Sequence, residues 1–200
     1  MISTSGAQLL PNEAVRNLRE KLLPLATVLT PNIPEARLLL QDAGQNVKQP
    51  ERLEDIVELA KAVQKLGSKY VLVKGGHLPL TKDHVISSKD SGKHFVIDVL
   101  CDEKDMVLLE TDYLNSKNTH GTGCSLACRC CTGTFGALQE MLISVTAAIA
   151  SNLALGFDIP QAVRSANRYV EAGIRGSRDL GKGSGPINHF HSTYMLPFAP

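Results

Sequence analysis

Apolar positions recur at helical spacing from the start of the chain. Val15, Leu18 and Leu22 share one face of a helix predicted over Pro11 to Leu23, with Pro11 suited to its first turn. A short apolar run, Ala26 to Leu29, ends at Thr30-Pro31, and a second helix is expected to begin near Pro34. Leu53, Ile56, Val57, Ala60 and Val63 place a third helix over Pro50 to Leu66, with Gly67 as its C-terminal cap. Tyr70 to Lys74 is an unbroken apolar strand, the kind buried on both faces of a parallel sheet. Asp83 to Ser87, His94 to Leu100 and Met106 to Glu110 read as strands, the last two joined as a hairpin through the polar turn Cys101 to Asp105. A polar loop, Thr111 to Gly123, leads back into helix. The apolar stretch Ala137 to Phe157 carries Gln139, Glu140, Ser144, Ser151 and Asn152, so it reads as a buried helix and not as a membrane span. Val163, Ala166, Tyr169 and Val170 line a final amphipathic helix over Pro160 to Ile174, and the Gly- and Pro-punctuated remainder is irregular.

Helix alternating with strand through the first half predicts a layered α/β fold with a mostly parallel sheet. The 200 residues suit one domain, and no internal repeat is visible. A net charge of +1 gives no electrostatic basis for binding nucleic acid or an anionic membrane, so a bound phosphate must be held by local groups. The N-terminus lacks the basic-then-apolar organisation of a signal peptide. Five cysteines, three of them crowded into Cys128-Arg-Cys-Cys131, do not form a disulfide framework, and a reduced, cytoplasmic setting is expected.

Three segments carry candidate chemistry. In Asn118-Thr-His-Gly-Thr-Gly-Cys-Ser125, Gly121, Thr122 and Gly123 stand just before a predicted helix. Their backbone N–H groups and the helix N-terminus would make an anion hole suited to a transferring phosphoryl group. The alternative is a glycine turn that only caps the helix. Cys124, in the same helix field, would have its thiol pKa lowered and could take a proton from an attacking hydroxyl, against the alternative of a small buried cysteine. In Thr30-Pro-Asn-Ile-Pro-Glu35, Asn32 and Glu35 lie past the C-terminal end of a strand and offer oxygens to Mg²⁺, directly or through water. Capping of the following helix by the same pair is the more economical reading. Lys74-Gly-Gly-His77 also follows a strand. Lys74 can reach phosphate oxygens there and Gly75 lets backbone approach them, unless the lysine is merely solvated. No P-loop motif is present.

TPNIPEA, LVKGGHL and KNTHGTGCSLA, in this order, resemble the hydroxymethylpyrimidine/phosphomethylpyrimidine kinases of the ribokinase superfamily, as do the opening STSGAQLL, IASNLALG and the near-terminal GPINH. The resemblance implies a three-layer αβα sandwich. It implies phosphorylation of the small molecule 4-amino-5-hydroxymethyl-2-methylpyrimidine, and then of its monophosphate, with ATP and Mg²⁺. By the same resemblance Gly121, Thr122, Gly123 and Cys124 form the anion hole, with Cys124 as catalytic base. Lys74 meets the transferred phosphate, Asn32 and Glu35 support Mg²⁺, and the last helix, around Ala166 and Val170, lines the adenine pocket. Pyridoxal kinases bearing cysteine at the same position are the nearest alternative, and a non-catalytic remnant that pairs with another chain is a third.

Two departures from the family pattern are expected to matter. The N-terminal strands that precede a segment like Ile2 to Gly6 in the family have no match here, which would leave a partial kinase domain over 1–191, a tail over 192–200, an exposed sheet edge and negligible turnover by this polypeptide alone. Excising Cys128 to Thr146 restores the family register, so that segment reads as an insertion, either a translated intron or a genuine loop. Homo-oligomer formation is a further expectation.

Overall fold

The computed structural model describes residues 8–76, 78–87, 92–114, 144–178 and 185–192. They fall into two units, Met1–Tyr113 and Leu114–Pro200.

The first unit opens with helix α1 (Asn12–Asn17), which widens to a π-helical turn over Leu18–Leu22 and tightens to a 3₁₀ turn at Leu23–Leu25. The widening corrects the expected apolar face. An extra residue per turn carries the stripe from Val15 to Leu23, both buried, and leaves Leu22 58% exposed. Strand β1 (Val28–Leu29) follows, then α2 (Ile33–Asp42), α3 (Leu53–Gln64), β2 (Tyr70–Val73), β3 (Phe95–Cys101) and β4 (Met106–Asp112). Helix α3 starts where Asp55 Oδ2 accepts the N–H groups of Glu51 and Arg52, at 2.7 and 3.0 Å. It ends ahead of Gly67, whose φ of +118° makes the turn that a side chain would strain.

The sheet order is β1-β2-β3-β4. Its pairing corrects the expectation of a mostly parallel sheet: β1 and β2 run parallel, but β2–β3 and β3–β4 are antiparallel. The physical reason lies in the connections. A parallel neighbour needs a long crossover, which α2 and α3 supply between β1 and β2. From β2 to β3 the described residues contain no α-helix, so the chain doubles back. The expected β3–β4 hairpin is present, in register from Phe95↔Asp112 to Cys101↔Met106. Its turn is tied by Asp102, whose carboxylate accepts the N–H of Lys104 and Asp105 at 2.8 and 2.7 Å. The expected strand Asp83 to Ser87 is reduced to isolated bridges, Arg52↔Val85 and Leu80↔Ile86, because His84 takes a φ of +58° that breaks extended backbone.

Alternation along β2 and β3 builds the core. Val71, Val73, Ile97, Val99 and Cys101 pack against Ile33, Ala36 and Leu40 of α2 and Ile56, Leu59, Ala60 and Val63 of α3. Leu72 and Leu100, with the opposite parity, are buried on the other face. Among the described residues no strand pairs on the outer side of β1.

The second unit contains α4 (Ser144–Ala154) and α5 (Ile159–Arg175), packed as a helical hairpin. Asp158 caps α5 by accepting the N–H of Gln161 at 2.8 Å. Asn152 ties the hairpin through Ser165 of α5, whose Oγ donates to its Oδ1 at 3.4 Å, while its own amide donates within α4 to the Ala148 carbonyl at 2.8 Å. The segment 185–192 runs along α5, where the Asn188 N–H donates to the Gly173 carbonyl at 2.9 Å. No helix among the described residues is long and apolar enough to cross a membrane. The expected insertion, Cys128 to Thr146, lies outside the described residues except for its last three, which begin α4.

Candidate active site

Parallel pairing of β1 with β2 puts the carboxyl ends of both strands side by side, the edge where α/β sheets bind ligands. Two of the three candidate segments meet there. Asn32 and Lys74 form a parallel bridge, and the Lys74 N–H donates to the Pro31 carbonyl at 2.9 Å. The lysine of one motif and the asparagine of the other, remote in sequence, are thus backbone neighbours.

Each motif is held locally. Asn32 Oδ1 accepts the Glu35 N–H at 2.8 Å and Glu35 Oε2 accepts the Asn32 N–H at 3.1 Å, a reciprocal capping box at the start of α2. These bonds occupy one oxygen of each side chain, and Glu35 is only 8% exposed. The pair fits the task of fixing the loop between β1 and α2. Lys74 is half-buried and Gly75 is buried. The Gly75 N–H donates to Asp98 Oδ1 at 2.8 Å, and the Gly75 carbonyl accepts from Leu78 at 2.8 Å. A Cβ on Gly75 would overlap the Ile97 carbonyl oxygen, so backbone approaches backbone as only glycine permits. Gly76 next to it faces open space.

Ala166 and Val170 are buried residues of α5, 0% and 7% exposed. Gly121, Thr122, Gly123 and Cys124 lie outside the described residues. Cys101, by contrast, is a buried thiol whose pKa is pushed up to about 11 by desolvation, reinforced by nearby Asp102, which removes it as a nucleophile at neutral pH. Sequence reading missed Asp98. Its signal was a single charge inside the apolar run Phe95 to Cys101.

A lysine at the carboxyl end of a parallel strand, beside a glycine turn and a capped helix, is an arrangement that can receive phosphate oxygens. Together with the layered sheet it places the chain in the α/β, ribokinase-like class of folds. A solved structure described as an ADP complex of Bacillus subtilis pyridoxal kinase superposes with a TM-score of 0.68 at 28% identity, over 92% of this chain and 57% of that one. The family model for phosphomethylpyrimidine kinase matches residues 1–140 and 143–188, and the chain belongs to that family. It is 37% identical to the thiamine biosynthesis bifunctional protein ThiED of Geobacter sulfurreducens over 94% of its own length and 31% of the relative's. It is 34% identical to the hydroxymethylpyrimidine/phosphomethylpyrimidine kinase of Synechococcus elongatus over 97% of its length and 60% of that enzyme's. The chain therefore spans roughly a third to three-fifths of the relatives it matches.

Proposed function

We propose that the chain serves ATP-dependent phosphorylation of 4-amino-5-hydroxymethyl-2-methylpyrimidine and its monophosphate, in the cytoplasm. The family match over residues 1–140 and 143–188 carries this reading. The meeting of Asn32 and Lys74 at the carboxyl ends of β1 and β2 supports it. In this reading the Lys74 ammonium attracts the terminal phosphate, and the Gly75 turn brings backbone close to it. The amides of Gly121, Thr122, Gly123 and Cys124 stabilise charge on the transferring group, while the Cys124 thiolate accepts the proton of the attacking hydroxyl. Asn32 and Glu35 support Mg²⁺ through water and hold the β1–α2 loop. Ala166 and Val170 back the adenine site from within α5. Most of the rate in phosphoryl transfer comes from such positioning and electrostatics, with little covalent work for the protein.

The similarity to a pyridoxal kinase favours one second reading, in which pyridoxal is the acceptor. Titration of the purified chain with ATP and with AMP, followed by transfer assays with the pyrimidine alcohol, its monophosphate and pyridoxal, tests both. ATP should bind more tightly than AMP, and any transfer should favour the pyrimidines. Preferential phosphorylation of pyridoxal selects the second reading, and equal affinity for ATP and AMP overturns both.

A further inference from the structure

We propose that Asp98 is a positioning residue: its carboxylate holds the Lys74–Gly75 turn against β3 and so sets where Lys74 is presented to a nucleotide's terminal phosphate. This rests on the reading of Lys74 as a phosphate contact.

The location of Asp98 is the first observation. It shares a face of β3 with Val96 and Leu100, and Leu109 of β4 stands directly opposite it, with Leu100 and Leu109 both buried. Asp98 is half-buried, and a carboxylate beside apolar neighbours loses part of its hydration, a cost that a specific hydrogen bond offsets. One such bond is the 2.8 Å contact from the Gly75 N–H.

The second observation is where the ladder stops. Backbone pairing of β2 with β3 ends at Val73↔Val99. Beyond it the Gly75 amide turns to the Asp98 side chain instead of a strand carbonyl, and a charge-assisted bond replaces a neutral one. The third is the close approach of Gly75 to the Ile97 carbonyl, which brings the same peptide against the same strand from the backbone side. Lys74 is therefore gripped on both flanks. Its own N–H goes to Pro31 beside β1, and the next N–H goes to Asp98 on β3. Consecutive amides tied to opposite neighbours fix the backbone from which the lysine side chain departs.

The test compares the full chain with Asp98→Ala, Asp98→Asn and Lys74→Ala in calorimetric titrations with ATP and with AMP, alongside thermal melts. AMP lacks the terminal phosphates, so it reports the rest of the site. Lys74→Ala and Asp98→Ala should each lose about tenfold in ATP affinity while AMP affinity stays within about twofold, and Asp98→Asn, which keeps an acceptor oxygen, should retain most ATP affinity. If Lys74→Ala leaves the ATP-to-AMP ratio unchanged, the phosphate reading itself fails. If Lys74→Ala lowers that ratio but Asp98→Ala does not, or lowers ATP and AMP affinity alike, the positioning role alone is overturned. Should Asp98→Ala lose its cooperative melt, Asp98→Ser is read by the same ratio with the same outcomes.

Discussion

Gly75 and Gly76 are adjacent, and the structure assigns them opposite tolerances. A methyl group on Gly75 would overlap the Ile97 carbonyl oxygen and lie 3.0 Å from its carbon. Neither is the end of a flexible side chain, so relief requires β2 and β3 to separate by on the order of 1 Å to reach ordinary contact. Overpacking of this kind costs about 1–3 kcal/mol. Separation also stretches the 2.8 Å bond from the Gly75 N–H to Asp98. A hydrogen bond to a charged group is worth roughly 1.5–3 kcal/mol, of which a partial loss is expected. Together these place Gly75→Ala at about 2–4 kcal/mol of destabilisation. For a domain of this size that lowers the melting temperature by roughly 4–15 °C. Gly76→Ala meets nothing within 4 Å and should stay within about 0.5 kcal/mol. Urea unfolding followed by far-UV circular dichroism measures both. Equal midpoints for the two variants, or a Gly75→Ala chain as stable as the parent, would refute the claim that backbone is pressed against backbone at this turn.

Other expectations follow from the same geometry. Asn32→Ala removes the acceptor for the Glu35 N–H and should cost about 1 kcal/mol of stability. Measured by thermal melting without nucleotide, the loss should be the same in Mg²⁺ and in EDTA, because support of the ion through water is expected only when nucleotide phosphates hold it there; a loss that depends on the metal alone would overturn that expectation. The His189 pKa lies below its ordinary value of 6.5, first through burial and then through repulsion from His191. A histidine kept neutral by the fold contributes stability that is complete above its unfolded pKa and is lost as pH falls below it. Segment 185–192, where Tyr169 Oη donates to the His189 carbonyl at 2.9 Å, should therefore exchange its amides faster as pH drops below about 6.5, after correction for intrinsic exchange. Unchanged protection across that range, measured by NMR, would count against it.

Much of this protein is written in local patterns. The continuous apolar run of β2, the hairpin of β3 and β4, the periodic face of α3 and the Asn32/Glu35 capping pair all depend on residues a few positions apart, and each is legible in the order of side chains alone. The motifs TPNIPEA and LVKGGHL likewise mark the loops that form the candidate site. The errors have a common origin in long-range choices. Leu22 gives up its place in the core to Leu23 because α1 widens before it meets its neighbours. Asp83 to Ser87 fails to form a strand because His84 turns the chain.

By itself the sequence determined most of the segments that form helices and strands, and that glycine, lysine and a capped helix would stand at strand ends, because those outcomes follow from spacing and side-chain chemistry over one or two turns of chain. Only the tertiary structure decided that β2 pairs parallel with β1 but antiparallel with β3, that Asn32 lies beside Lys74, and that Asp98 reaches the Gly75 amide. Those contacts join residues far apart along the chain. Which strand edge meets which is settled by burying Val71, Val73, Ile97 and Val99 against α2 and α3 together, a condition on the whole sheet that no single window of residues contains.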